Sequence, residues 1–186
     1  SLRGPYRSRQ ADDVAAEVQA LIADGVREIC MIAQDTTAWG RDLQGGWTLA
    51  RLLRSLDLGG WDGWLRLQYL HPGGISPDLL EAMASVEQAV PYFDLPLQHA
   101  DQAILRSMGR RGDAESYLRM LGQIREALPG AAIRTTFIVG YPGETQERFE
   151  ALMRFVEEAR FDRLSAFRYW DEPGTRAAEL PDQVPG

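Results

Sequence analysis

Gln34, Asp35, Thr36 and Thr37 put an amide, a carboxylate and two hydroxyls directly after the apolar run Glu28-Ile29-Cys30-Met31-Ile32-Ala33. An amide or carboxylate at such a tip can accept from a ligand ammonium, a charge-assisted contact. The same residue types also favour a plain helix-capping turn. Thr36 and Thr37 read first as capping or packing residues. Four more groupings carry comparable chemistry: Tyr69 with His71, Gln98 with His99, Gly140 to Glu144, and Tyr169 with Asp171. An amide and a neutral imidazole can each donate and accept, which suits hydroxyl-rich ligands. Of the two histidines, His99 is the better site candidate, and His71, before Pro72-Gly73-Gly74, reads as a turn residue. Arg134 offers a fork of donors to a carboxylate.

These residues matter because of the elements that hold them. Val14, Val18, Leu21 and Ile22 recur at helical spacing, with Asp12-Asp13 before them and Gly25 after them. The apolar run ending at Gln34 reads as a strand with both faces apolar, the pattern of a strand buried between helices. Leu49, Leu52, Leu53 and Leu56 mark a second helix, and Trp64 to Leu70 a second strand. Ser76 as N-cap with Pro77 at the first helical position opens a third helix. Tyr92 to Leu97 is a third extended piece, in which Pro96 removes one amide donor. Ile104, Leu105 and Met108 form a short helical turn, and Tyr117, Leu121, Ile124 and Leu128 share a helix face. Ala132 to Val139 is the fourth strand, Phe149 to Val156 the last helix, and Arg163 to Tyr169 the last strand.

Strands alternating with helices imply βαβ units and a parallel sheet. With no visible reversal of strand order, the rhythm favours a barrel, complete or partial, over an open sheet. Ligand sites in such barrels lie at the C-terminal ends of the strands. All five strands here end in polar or glycine-rich residues.

The chain has 186 residues, 45% hydrophobic and 25% charged, as expected of one soluble domain. Its apolar runs fall far short of the ~20 residues that span a membrane, and no signal peptide is visible. A cytoplasmic enzyme is the expectation. The formal net charge of −7 argues against nucleic acid as a direct partner. All 20 basic residues are arginine, and Arg3, Arg7 and Arg9 form the one concentrated positive patch. The single cysteine, Cys30, reads as a small core residue in its strand. No metal-ligand spacing, phosphate loop, dinucleotide fingerprint or nucleophile elbow occurs, so the metal-ligand set is empty and no catalytic residue is assigned.

Six segments together resemble the radical-SAM methylthiotransferases: Arg3 to Arg9, Ala33 to Thr37, Leu95 to His99, Met108 to Gly112, Arg134 to Thr145 and Leu180 to Pro185. The likeness is closer to the ribosomal-protein branch of that family than to its tRNA-modifying branch. It implies an α/β fold, a partial (β/α)6 TIM-like barrel with its first strand and cluster loop missing from this chain. Residues 1–178 would be the barrel core, truncated at its N-terminus, and 179–186 the start of a linker to a further domain. The implied activity is addition of a methylthio group to the β-carbon of an aspartate in ribosomal protein S-twelve. A tRNA methylthiotransferase and a non-radical barrel lyase are the alternatives.

The resemblance also implies S-adenosylmethionine, two four-iron–four-sulfur clusters in the full-length enzyme and an external electron donor. It implies the ribosome or its S-twelve protein as partner, no membrane, and nucleic-acid contact only through another domain. The family's cysteine triplet CxxxCxxC has no counterpart here, and one cysteine cannot replace three thiolates; the expectation is an inactive fragment that holds no cluster. By resemblance, Gln34 and Asp35 face the cofactor's amino group, while Gln98 and His99 face its ribose or carboxylate. Arg134 could pair with the carboxylate, although strand alternation alone leaves open whether Arg134 or Thr135 points inward. Gly140 to Glu144 either lets backbone approach the adenine or simply turns into the helix capped by Thr145. Tyr169 and Trp170 could cover the adenine or close the core.

Overall fold

The computed structural model describes residues 4–184. Arg3 and Pro185, quoted above, lie outside the described residues, as do the last two positions of the expected linker. Two compact units divide the chain, residues 1–94 with 127–131 and residues 95–126 with 132–186.

The first unit holds α1 (Ala11–Ala23), β1 (Glu28–Met31), α2 (Leu49–Ser55), β2 (Trp64–Leu67), α3 (Pro77–Ser85) and the first half of β3 (Tyr92–Gln98). β1 and β2 pair in parallel, with Ile29 opposite Leu65 and Cys30 opposite Arg66. Parallel pairing needs a crossover, and the segment through α2 supplies it. Alternation then sorts the side chains: Ile29, Leu65 and Leu67 are buried, with Leu52, Leu53 and Met83 among the helical residues that complete this core. The cap signal before α3 works as the sequence implies, Leu79 N–H donating to Ser76 Oγ at 3.2 Å.

β1 departs from the expectation of a doubly buried strand. Cys30 is exposed rather than a core residue, and Ile32 is 62% exposed. Only one face of β1–β2 is covered by apolar side chains. On the other, Arg66 Nε donates to Glu28 Oε1 at 2.5 Å, and its guanidinium lies 4.8 Å from the Tyr92 ring centroid. A run of apolar residues cannot distinguish two covered faces from one covered face and one bearing a few apolar side chains.

The second unit contains the rest of β3, α4 (Gln102–Ser107), α5 (Ala114–Ala127), β4 (Ala132–Val139), α6 (Gln146–Ala159) and β5 (Arg163–Arg168). Its strand order is β3-β4-β5, and β4 and β5 run parallel with Arg134 opposite Arg163. Ile133, Thr135 and Phe137 form the buried face of β4. Phe137 meets Phe155 and Phe161 edge-on, at 6.2 and 5.8 Å between centroids. Edge-to-face rings add about 1 kcal/mol each beyond the area they bury. Arg134 therefore belongs to the opposite, half-exposed face of β4.

Among the described residues no helix is long and apolar enough to cross a membrane.

Candidate functional site

At the strand ends of the first unit, Thr36 acts as a stitch. Its hydroxyl donates to the Gln68 carbonyl at 2.5 Å and accepts from Ala33 N–H at 3.2 Å. Its own N–H reaches the Tyr69 carbonyl at 3.1 Å. Thr36 is 4% exposed, so these bonds fix the tips of β1 and β2 to each other. Asp35 precedes a single 3-10 turn but makes no side-chain cap to it; its carboxylate instead accepts from the Thr37 hydroxyl. Gln34 is exposed. It lines an open cavity of about 540 Å³ with Ile32, Ala33 and Tyr69. His71 is a turn residue: its Nδ1 accepts from Gly73 N–H at 3.1 Å.

Cys30 sits on the polar face of the same unit. Partial burial raises its thiol pKa above the ordinary value, the Glu28 carboxylate adds to the rise, and Arg66 partly offsets it. Alkylation by iodoacetamide should therefore go to completion in the folded protein, because the thiol is exposed, but with a pH midpoint above that of free cysteine. Replacing Arg66 with Met should push the midpoint higher still. Mass-spectrometric labelling rates between pH 7 and 10 check both statements.

In the second unit the candidates form a network. His99 is 0% exposed. Asp101 N–H donates to its Nδ1 at 2.9 Å, so the ring proton sits on Nε2 and points to Glu144 Oε1 at 2.9 Å. The other Glu144 oxygen accepts from Gly140 N–H. Gly140 takes a φ of +73°, which glycine adopts without strain. The Gly143 carbonyl accepts from Arg148 Nη1 at 2.6 Å, and Arg148 Nε lies 3.6 Å from Asp101 Oδ2. Asp101 also caps α4, accepting from Ala103 and Ile104 N–H groups at 2.8 and 3.0 Å. His99 and Glu144 thus hold the Gly140–Glu144 turn to the end of β3, with both imidazole nitrogens already engaged. The expectation that His99 itself meets a sugar or carboxylate gives way to a positioning role, because its ring is closed off from solvent.

Gln98 has a φ of +71°, as Tyr69 has one of +54° at the end of β2. Left-handed backbone at a non-glycine residue costs on the order of 1 kcal/mol and re-aims the chain at a strand end. Tyr169 N–H donates to the Val139 carbonyl at 2.7 Å, and its ring meets Tyr141 edge-on at 5.2 Å. Desolvation, then the Asp171 carboxylate, pushes the Tyr169 phenol pKa up. Its hydroxyl is shielded from solvent, and the Thr175 side chain partly offsets the rise. Beside it, Gly140, Tyr169, Trp170, Gln183 and Val184 line a cavity of about 390 Å³.

A family model described as the Radical SAM superfamily matches residues 1–156. The chain belongs to the radical SAM superfamily. Among curated relatives, "Ribosomal protein uS12 methylthiotransferase RimO" of Thermodesulfovibrio yellowstonii is 46% identical over 99% of this chain and 43% of its own length. The protein of the same name from Chloroflexus aurantiacus is 51% identical over 99% of this chain and 41% of its own. The chain thus spans less than half the length of these relatives. Two solved structures share the fold. Coproporphyrinogen III oxidase (HemN) of Escherichia coli has a TM-score of 0.56 at 25% identity, covering 74% of this chain and 32% of its own. The radical S-adenosylmethionine methyltransferase TsrM of Kitasatospora setae reaches 0.68 at 16% identity, covering 85% and 30%. The fold class is accordingly the α/β, partial TIM-like barrel of radical SAM proteins.

The residues of this chain fit the two expected cofactors differently. A cavity of about 390 Å³ with a glycine edge, two aromatic residues and the charged Arg168 and Asp171 in its lining suits a nucleoside. An iron–sulfur cluster needs several thiolates. This sequence has one cysteine, and among the described residues no three His, Cys, Asp or Glu side chains gather as a metal-binding group. The ligands of a three-cysteine site are not among these residues, and no chemical step is assigned to a cluster here.

Sequence reasoning missed three contributors: Thr36 as a stitch, and Asp101 and Arg148 as braces of the turn. Asp101, just before the helical run Gln102 to Ser107, carried an N-cap signal that could have marked it. Nothing local marked the long-range bonds of Thr36.

Proposed function

We propose that this chain is the S-adenosylmethionine-binding core of a methylthiotransferase that modifies an aspartate of ribosomal protein uS12, the S-twelve protein. The observation that carries this reading is the nucleoside-sized cavity at the strand ends of the second unit, bounded by the braced Gly140–Glu144 turn and Tyr169. Identity of 43–51% to proteins named for that activity, over the whole of this chain, supports it. S-adenosylmethionine, cleaved reductively when bound at a cluster, supplies a carbon radical able to take hydrogen from an unactivated carbon. The protein's share is to orient and to exclude water.

In this reading Gly140 and Tyr169 receive the adenine, the glycine because its bare backbone admits a flat ring. His99 and Glu144 keep that turn in register. Gln98, at the tip of β3 in the same unit, bonds the ribose. Residues 1–178 form the core and 179–186 the outgoing linker. Two four-iron–four-sulfur clusters, an external electron donor, the ribosome as partner and a cytoplasmic location belong to the whole enzyme.

The test is mass spectrometry of ribosomal proteins and tRNA from a strain lacking the gene. Loss of the methylthio group from the uS12 aspartate with tRNA unchanged is the expected result. An unmodified tRNA base with uS12 intact would assign the chain to the tRNA-modifying branch.

A further inference from the structure

The Gly140–Glu144 turn is braced from within by His99 and Arg148. It is also held from outside by the segment around Asp182. Gly143 N–H donates to the Asp182 carbonyl at 2.9 Å, and Asp182 adopts a left-handed φ of +61°. Consecutive turns lead up to it, with N–H groups of Ala178, Glu179 and Leu180 donating three residues back. Such turns leave later carbonyls such as that of Leu180 without an intra-turn partner, as a helix end does, while the Ala177 carbonyl already accepts from Leu180 N–H. One side chain reaches these carbonyls: Gln183 Nε2 donates to those of Ala177 at 3.1 Å and Leu180 at 3.0 Å, and lies 3.5 Å from that of Ala178. Gln183 and Val184 then form one wall of the 390 Å³ cavity, facing Gly140 and Tyr169.

We propose that residues 180–184 are a strap that completes the nucleoside cavity, and that Gln183 is its positioning residue. Its amide closes the preceding turns, which aims the Asp182 carbonyl at Gly143 and sets Val184 against the cavity. The strap touches the adenosyl end of the ligand through the wall it builds, and touches the turn through a backbone bond that uses no side-chain atom of residue 182. Specificity of the contact therefore rests on Gln183. This inference depends on the cofactor reading of the cavity.

The test uses the full-length protein with S-adenosylhomocysteine as probe, and the substitutions Gln183→Ala and Gln183→Glu. Glu keeps the size and shape of Gln but has no N–H to donate to the Ala177 and Leu180 carbonyls. Both variants should bind the probe about tenfold more weakly by calorimetry, the loss expected from one or two neutral hydrogen bonds. Amide exchange should speed up together in residues 177–184 and 140–145, and nowhere else. Gln183 is exposed, so thermal melting should be unchanged and misfolding is not an explanation. Wild-type-like binding by Gln183→Glu, or exchange that rises at the strap but not at the turn, overturns the strap. Failure of the wild-type protein to bind the probe overturns the cofactor reading of the cavity and this inference with it.

Discussion

Replacing Glu144 with Ala should destabilise the protein by about 3 kcal/mol, the cost of removing one partner from a buried polar pair. Its side chain is 5% exposed and that of His99 is 0% exposed. Truncation strands two donors at once, His99 Nε2–H and Gly140 N–H, and the buried imidazole cannot turn to water. Glu144→Gln is not a neutral control. Its amide offers one acceptor oxygen, while its NH2 group must face the other donor, so a loss of roughly 1–2 kcal/mol is expected. His99→Leu removes the donor instead of the acceptor, so the double variant with Glu144→Ala should be less unstable than the sum of the singles. Urea unfolding of the four proteins checks this. Additive losses would show that the 2.9 Å contact carries no coupling.

That network also shows where sequence legibility ends. The bounds of β4, Ala132–Val139, were readable to the residue, because an alternating run is flanked by Pro129-Gly130 and by Gly140. Ser76-Pro77 and Thr145 announced α3 and α6, and both hydroxyls accept from the N–H three residues on. Such signals are local, set by one residue and its near neighbours. What the site needed was not local. His99 meets Glu144 across 45 positions, and Thr36 meets Gln68 across 32. The types of these residues marked them as chemically able, but only the fold decides that His99 points into protein rather than ligand. β1 shows a second limit. Its expected last residues, Ile32 and Ala33, leave the ladder because Thr36 takes the Ala33 N–H, and its apolar look hid an exposed Cys30. The left-handed residues Tyr69 and Gln98 show a third, since neither type announces a positive φ.

Gly40→Ala should cost about 3 kcal/mol, for two reasons that act at the same atom. Gly40 has a φ of +91°, where a Cβ adds on the order of 1–2 kcal/mol of backbone strain. That Cβ would also lie 2.6 Å from the Trp47 carbonyl oxygen and 2.8 Å from its carbon. Backbone cannot rotate away as a side-chain tip can, so overpacking adds about 1–3 kcal/mol more. The loop around Gly40 has little freedom to relax. Gly40 N–H donates to Ser8 Oγ at 3.0 Å and Ser8 N–H to Asp42 Oδ2 at 2.9 Å. Trp39 packs edge-on against Trp47 at 5.9 Å, and Arg51 covers the Trp47 face at 4.4 Å. The first sign of failure should be loss of near-ultraviolet dichroism from this tryptophan pair at denaturant concentrations that leave the helical signal intact. Gly122→Ala is the matched control: inside α5, with nothing within 4 Å of its Cβ, it should stabilise by up to about 1 kcal/mol. Opposite signs for the same chemical change would place the effect in the contact with Trp47, and equal small effects would show that the loop bearing Gln34 to Thr37 yields more readily than its hydrogen bonds imply.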